Sequence, residues 1–313
     1  MNTDTIHTKR YQVLLLYKYV AIENPQEVQE SQLKICRELD LKGRIIVATE
    51  GINVTLEGEK GDVDAYCLYL DKDVRFRGAQ FKRSTGNGGA FPRLSVRVRP
   101  EIVSAHLDED NVDPNRVTGN KLSPDELEKW YQENKDFYVI DMRNDYEYCV
   151  GQFDKTVASG MKNFRDLKKI IKDIEQYKDK PVLTVCTGGV RCEKASGYLK
   201  QKGFKDVYQL DGGIHSYIEK YPDKHFKGSL YTFDQRKTYT FDNPEKHQVI
   251  GKCAKCATST EKYADCAFSR CASHFLCCES CQISDGKAFC SSRCMLRNYL
   301  WKSKGWTKKM LAW

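Results

Sequence analysis

The order of predicted elements makes this an α/β multidomain chain in three parts. Three observations carry that reading: a βαββαβ run between residues 11 and 98, strands alternating with helices between 123 and 218, and a terminal block of closely paired cysteines. At 313 residues the chain has room for two or three cores, and 40% hydrophobic with 30% charged residues fits a soluble globular protein. The first ten residues are polar, and no apolar run approaches the ~20 residues that span a bilayer. The expected location is therefore the cytoplasm, with no membrane partner. There cysteines stay reduced and serve as nucleophiles or metal ligands.

Residues 11–22 form an apolar run of strand length. Asn24-Pro25 marks the turn into a helix over 25–39, with Val28, Leu33, Ile35 and Leu39 at helical spacing, and Gly43 follows its end. Residues 44–48 and 53–57 read as strands joined through Glu50-Gly51-Ile52. A second helix over 62–70 places Val63, Tyr66, Cys67 and Leu70 on one face, and 79–83 and 94–98 read as further strands. This order predicts a ferredoxin-like α+β sandwich, one antiparallel sheet under two helices, over residues 1–107.

Between Val74 and Pro100 stand seven bases and no acid: Arg75, Arg77, Lys82, Arg83, Arg93, Arg97 and Arg99. A solvated strand face normally mixes acids with bases, so the run favours nucleic-acid binding over a plain surface. The glycine-rich loop 84–90 offers backbone N–H groups to a phosphate, and Phe81 and Phe91 lie close enough in sequence to stack on bases.

Residues 107–121 are acidic, with Asn and Pro, and read as a linker. Ser123-Pro124-Asp125-Glu126 is a helix start with a serine cap and early acids. The alternation that follows predicts a parallel sheet with helices on both faces, over 118–228. Within it, an apolar strand over 182–185 ends in Cys186, followed by Thr187-Gly188-Gly189-Val190-Arg191-Cys192 and a helix-forming run. A cysteine at a strand end, with glycines and a helix N-terminus beneath it, has its thiolate favoured by backbone N–H groups and the helix dipole. Arg191 adds a fixed charge able to grip an anion in a fork. Ligands collect at that carboxyl edge in open α/β sheets.

Cys186-x-x-Gly-x-Arg191 resembles the active-site loop of rhodanese domains. Asp141-Met-Arg143, Glu147-Tyr148 with Gly151, and Asp211-Gly212-Gly213 resemble that family's other motifs, in the same order. Residues 217–241 read as a connector packed on this domain, and Asp234 and Arg236 in Phe233-Asp-Gln-Arg as a structural pair.

Nine of the fourteen cysteines lie between Cys253 and Cys294. They form the pairs Cys253/Cys256, Cys266/Cys271, Cys278/Cys281 and Cys290/Cys294, with Cys277 adjoining. Each knuckle supplies half a tetrahedral site, which points to two structural zinc ions. One arrangement interleaves the first pair with the third and the second with the fourth, and His274 is an alternative to Cys271. An iron–sulfur or redox block is the competing reading. Residues 297–313 mix bases with Tyr299, Trp301, Trp306 and Trp313 and hold no acid. They suit either RNA stacking or an amphipathic end helix. The third part spans 245–313.

From residue 11 to 294 the chain resembles the bacterial rhodanese-domain tRNA uridine-34 hydroxylases. Glu50-Gly51-Ile52-Asn53, Arg93-Leu-x-Val-Arg97-x-Arg99, Asp141-x-Arg143-Asn-Asp-Tyr-Glu147 and the run from Cys186 to Lys194 carry the likeness. The resemblance implies oxygen-dependent conversion of the wobble uridine of tRNA to 5-hydroxyuridine. It also implies a persulfide-forming role for Cys186. Cys192, six residues on, is the expected resolving thiol, and Arg191 completes the catalytic set. The resemblance likewise implies molecular oxygen as co-substrate; no flavin or nicotinamide fingerprint is present, and the electron or sulfur donor is undefined. A sulfurtransferase passing sulfane sulfur to a thiol acceptor is the alternative enzyme. A non-enzymatic RNA-binding module is a third reading.

Overall fold

Alternation along the first strand sends Leu14 and Leu16 to one face of a sheet and Val13, Leu15 and Tyr17 to the other, and that parity positions everything downstream. The computed structural model describes residues 10–157, 159–241 and 244–310, the last eight as backbone alone. The first domain runs β1 (Tyr11–Tyr19), α1 (Pro25–Glu38), β2 (Lys42–Ala48), β3 (Gly51–Glu59), α2 (Lys60–Lys72), β4 (Lys82–Thr85) and β5 (Leu94–Val98). The sheet order is β4-β1-β3-β2-β5; the first four strands pair antiparallel, and β5 joins β2 in parallel. This is the expected ferredoxin-like sandwich with one added edge strand.

Leu14, Leu16, Ile45, Val54 and Leu56 pack under Val28 and Cys36 of α1 and Val63 and Tyr66 of α2. The Tyr66 hydroxyl donates to Gln32 Oε1 at 2.6 Å, so the two helices are tied as well as packed. Gly51, at φ 146°, lets β3 pass β1; a Cβ there would stand 2.1 Å from the Lys18 carbonyl oxygen. The other face of the sheet carries no helix. It presents Leu15, Tyr17, Asn53, Thr55, Arg44 and Arg97, and it meets the second domain.

That domain runs β6 (Asn120–Leu122), α3 (Pro124–Gln132), β7 (Tyr138–Asp141), α4 (Asp145–Tyr148), β8 (Gly151–Phe153), β9 (Thr156–Val157), α5 (Leu167–Ile174), β10 (Pro181–Val185), α6 (Val190–Gln201), β11 (Asp206–Leu210) and α7 (Gly213–Lys220). Its central sheet, β6-β11-β10-β7-β9, is parallel throughout. Ile140 and Val182 face α5 and α6, while Val139 and Leu183 face α3 and α7. Ser123 caps α3 as the sequence predicts, and Glu126 completes a reciprocal capping box with it.

Three stretches differ from their sequence reading. The strand expected over 79–83 lies at Lys82–Thr85. The acidic linker is not free: Leu107 and Val112 are buried in the second domain's core, and Lys202 binds Asp110 at 2.9 Å. The connector is a clasp. Its β12 (Phe226–Gly228) pairs with β8, and β13 (Leu230–Tyr231) and β14 (Thr238–Tyr239) form a hairpin. Asp234 and Arg236 do form the expected pair, at 2.6 Å. Arg236 also donates to Ser84 Oγ at 3.0 Å and the Thr85 carbonyl at 2.8 Å in the first domain.

The third part has β15 (Tyr263–Cys266), β16 (His274–Leu276), β17 (Lys287–Ala288) and α8 (Ser292–Met310). Tyr263 donates to the Tyr146 carbonyl at 2.6 Å, and its ring stands edge-on to Tyr231 at 5.2 Å. The third part therefore leans on α4 and on the clasp hairpin.

Lys194 of α6 is fully buried and makes 2.8 Å ion pairs with both Glu50 and Glu101. Glu50 Oε1 also accepts from Ile102 N at 2.8 Å, so this triad joins the two domains beside the thiol loop. Lys194→Ala strands two carboxylates and should cost roughly 3 kcal/mol in urea unfolding. Adding Glu50→Gln and Glu101→Gln should recover part of that loss. A single-mutant cost below about 1 kcal/mol, typical of an exposed pair, would remove the triad's structural role.

Candidate active site and metal centres

Cys186 closes β10 and is fully buried at the carboxyl edge of the parallel sheet. Gly189 N–H donates to its Sγ at 3.2 Å, and the backbone N–H groups of Arg191 and Cys192 also point at it. Gly189 takes φ 102°, where a Cβ would lie 2.9 Å from the Tyr17 hydroxyl. Glycine thus lets the loop curl round the sulfur and lets β1 press on it.

Burial alone raises the Cys186 pKa. It is outweighed by a hydrogen bond from Cys192, the Arg191 charge and the backbone N–H groups of Cys192 and Arg191, so the thiol ionises below its ordinary range. The Cys192 thiol is pushed up by its burial and by its neighbour. The thiolate is thus favoured at Cys186 and disfavoured at Cys192.

The sequence suggests Arg191 as a free fork for an anion, but the fork is occupied. Its Nη1 and Nη2 donate to Glu147 Oε1 and Oε2 at 2.6 and 2.8 Å, with Glu147 fully buried. Arg191 acts here as a fixed charge near the sulfur. Asp141 holds Arg143 in the same bidentate way, and Arg143 reaches the Gly151 carbonyl at 2.6 Å.

A cleft of about 330 Å³ opens on Cys186, lined on one side by Thr187, Gly188, Asn144 and Arg191 and on the other by Leu15, Tyr17, Asn53 and Thr55 of the helix-free sheet face. It shares Arg44, Ile46 and Phe233 with a second groove of about 380 Å³, which continues along Arg93, Ser95, Arg97 and Arg99. Arg44 lies opposite Ser95 in the parallel β2–β5 register, which joins these charges into one track.

The seven basic residues of the sequence run therefore divide. Arg93, Arg97 and Arg99 are exposed along the groove. Lys82 is buried behind the thiol loop over the Tyr17 ring, and burial lowers its pKa to about 8. Arg83 points to the helix face and pairs with Asp64 at 2.5 Å. Arg75 pairs with Asp73 at 2.7 Å, and Arg77 bonds the Asp71 carbonyl, both beyond the end of α2. The glycine loop is not open to a phosphate. Its N–H groups at Asn87, Gly88 and Ala90 bind the buried Glu57 carboxylate at 2.7–3.0 Å. Phe91 is buried and Phe81 packs on the first core, so neither is an exposed stacking ring. Sequence reasoning missed Glu147, Arg44 and Phe233 as site residues.

Among the described residues the cysteines converge as two groups, Cys253/Cys256/Cys278/Cys281 and Cys266/Cys271/Cys290/Cys294, with the sulfurs of each within 4.8 Å of one another. That is the interleaved pairing. Sulfurs 2.3 Å from one tetrahedral zinc stand roughly 3.8 Å apart, and Cys256–Cys278 and Cys271–Cys290 are at 3.5 and 3.7 Å. All fourteen cysteines are free. Cys277 is buried outside the first group, and His274 is bonded to Asp265 at 2.7 Å rather than replacing Cys271. Both groups can hold a metal ion. Cys294 opens the first turn of α8, so the second group anchors that helix. The side chains of Trp306 and Trp313 lie outside the described residues.

A parallel sheet bearing a thiol loop of this shape defines a rhodanese-type domain, here roofed by a second sheet. Residues 123–220 match the family model described as the rhodanese-like domain, 11–102 the UPF0176 acylphosphatase like domain, and 227–295 the rhodanase C-terminal. The tRNA uridine(34) hydroxylase of Bacillus licheniformis is 43% identical over 274 residues, covering 86% of this chain and 84% of that one. Its namesake from Cytophaga hutchinsonii is 40% identical, covering 91% and 90%. A rhodanese-like domain protein from Staphylococcus aureus aligns over 31% of this chain and 90% of its own, at 26% identity and TM-score 0.27. The chain belongs to the tRNA uridine(34) hydroxylase family. Among the described residues no helix is long and apolar enough to cross a membrane.

Iodoacetamide should alkylate Cys186 with a midpoint pH below that of free cysteine, and Arg191→Met should raise the midpoint by removing the charge that favours the thiolate. Equal midpoints in both proteins would exclude that role. A strong chelator should release two metal equivalents and expose 251–294 to proteolysis while the parallel-sheet domain stays folded. Lowering pH should ease release, because protons compete for the thiolates. Unchanged circular dichroism and melting after chelation would rule out metal-dependent folding.

Proposed function

We propose that the protein hydroxylates the wobble uridine of tRNA at C5, forming 5-hydroxyuridine with molecular oxygen as co-substrate, in the cytoplasm. The observation that carries this reading is the continuity of the Arg44–Arg93–Arg97–Arg99 groove with the cleft over Cys186. Phosphates on the arginines would hold the backbone while a splayed base enters the cleft. The relatives' shared name supports the same substrate.

In this reading Cys186 is the reacting sulfur and carries the persulfide-type chemistry. Arg191 and the loop N–H groups hold its negative charge, and Cys192 supplies or accepts a proton at that sulfur or resolves its oxidised form. One oxygen atom enters the base at C5; the other leaves as water, drawing two electrons from an external reductant. The cysteine groups hold structural zinc, since four protein thiolates leave no open coordination position. Zinc then keeps the third part folded against α4 and the clasp.

Nucleoside mass spectrometry after incubation of purified enzyme, unmodified tRNA, oxygen and a reductant should detect 5-hydroxyuridine at position 34, and Cys186→Ser should abolish it. Thiolated uridine without 5-hydroxyuridine would overturn the assignment in favour of sulfur transfer. Replacing Arg44, Arg97 or Arg99 singly by Ala should weaken tRNA binding and reduce its salt slope by about 1. Arg75→Ala and Arg77→Ala should leave both nearly unchanged, and the reverse pattern would move the RNA path to the other side of the domain.

A further inference from the structure

Phe233 occupies an unusual place. It lines the basic groove, the thiol cleft and a smaller inner cavity of about 50 Å³ beside Lys82 and His215, so the three spaces meet at one aromatic ring. The ring is 42% exposed, although burial of so large an apolar side chain is favourable. Tyr299 and Trp301 are exposed too, but on α8, and they line none of these spaces.

The exposure is held in place by the fold. Asp234, the next residue, is buried and grips Arg236 through two hydrogen bonds at 2.9 and 2.6 Å. Arg236 in turn binds β4 at Ser84 and Thr85, and Gln235 N–H donates to the Ala90 carbonyl at 2.9 Å. Tyr231 meets the Phe233 ring edge-on at 5.2 Å. The Arg191 guanidinium carbon lies 5.7 Å from the ring centroid, which sets the ring above the Cys186 loop. The hairpin tip is therefore fixed between both domains, and its aromatic side chain faces open space at the mouth of the cleft.

We propose that Phe233 is the stacking platform for the base admitted to the cleft, and that it orients the base edge toward Cys186. This rests on the functional reading above and adds the residue that selects an unstacked nucleotide. Unpaired loop bases bind proteins by stacking on aromatic rings, and the stack fixes the plane of the base while leaving its edges free. Chemistry at C5 needs that arrangement: the face is held by the ring, and the C5 edge stays open to the sulfur. Asn53, Thr55 and Asn144 line the same cleft and offer polar groups to the remaining edges.

The test uses full-length protein and two synthetic anticodon stem-loop RNAs, one with uridine and one with an abasic residue at position 34. Wild type should bind the uridine loop on the order of tenfold more tightly than the abasic loop. Phe233→Ala should bind the two alike, and Phe233→Trp should keep the preference. Melting temperature and the rate of Cys186 alkylation should match wild type in Phe233→Ala, which separates loss of stacking from loss of fold. Undiminished discrimination in Phe233→Ala, or none in wild type, overturns the proposal. A wild-type enzyme that forms 5-hydroxyuridine while Phe233→Ala still discriminates sinks this inference alone. A wild type that discriminates but forms no 5-hydroxyuridine sinks the functional reading instead.

Discussion

The buried pair of Glu147 and Arg191 is the constraint from which the rest of the site is built. Two ions taken out of water are stable together only when both ends of each are satisfied, and here the carboxylate and guanidinium meet through two parallel hydrogen bonds. The pair fixes a positive charge close to a sulfur that burial would otherwise keep protonated. Its carboxylate comes from α4, and α4 is braced from outside by Tyr263, whose hydroxyl bonds the Tyr146 carbonyl. Tyr263 begins β15, the strand that ends in Cys266, a member of the second cysteine group. The cysteine-rich segment that can hold metal thus supports the position of that charge.

The second dependence is between domains. A parallel sheet leaves its thiol loop facing open space, and the helix-free face of the first domain's sheet closes over it. Tyr17 bonds Glu193 Oε1 at 3.0 Å, Tyr19 bonds the Val190 carbonyl at 3.2 Å, and Lys194 reaches back to Glu50 and Glu101. All three anchor points lie within the first turn and a half of α6, so the docking surface and the activated loop are one piece of backbone. The cleft exists only because both sheets are present. Neither domain alone would present the cysteine beside a track of arginines.

Local patterns made much of this legible from the sequence. Apolar periodicity placed both helices and four of the five strands of the first domain, and Ser123 and Glu126 gave the start of α3. The strand–cysteine–glycine–helix run located the thiol loop, and short cysteine spacings gave the four pairs, with the interleaving that the fold adopts as one arrangement among those open. What stayed hidden was set by non-local pairing. Arg44 joins Arg93, Arg97 and Arg99 only because β5 adds to β2 in parallel, far from both in sequence. Glu147 reads as one acid in a polar stretch until the fold brings it to Arg191. One signal was available and unused: strand alternation puts Lys82 and Arg83 on opposite faces, whereas positions 93, 97 and 99 share a parity. The glycine-rich loop misled because the carboxylate filling it, Glu57, comes from another strand.

On the proposed function, the base at position 34 enters the cleft between the two sheets, beside Cys186. Photo-cross-linking with 5-bromouridine at that position of an anticodon stem-loop, followed by peptide mass spectrometry, measures this directly. Adducts are expected in the loop 186–191 or the hairpin 230–239. Adducts confined to α8 or to the α2 side around Arg75 and Arg77, with the cleft unlabelled, would contradict it.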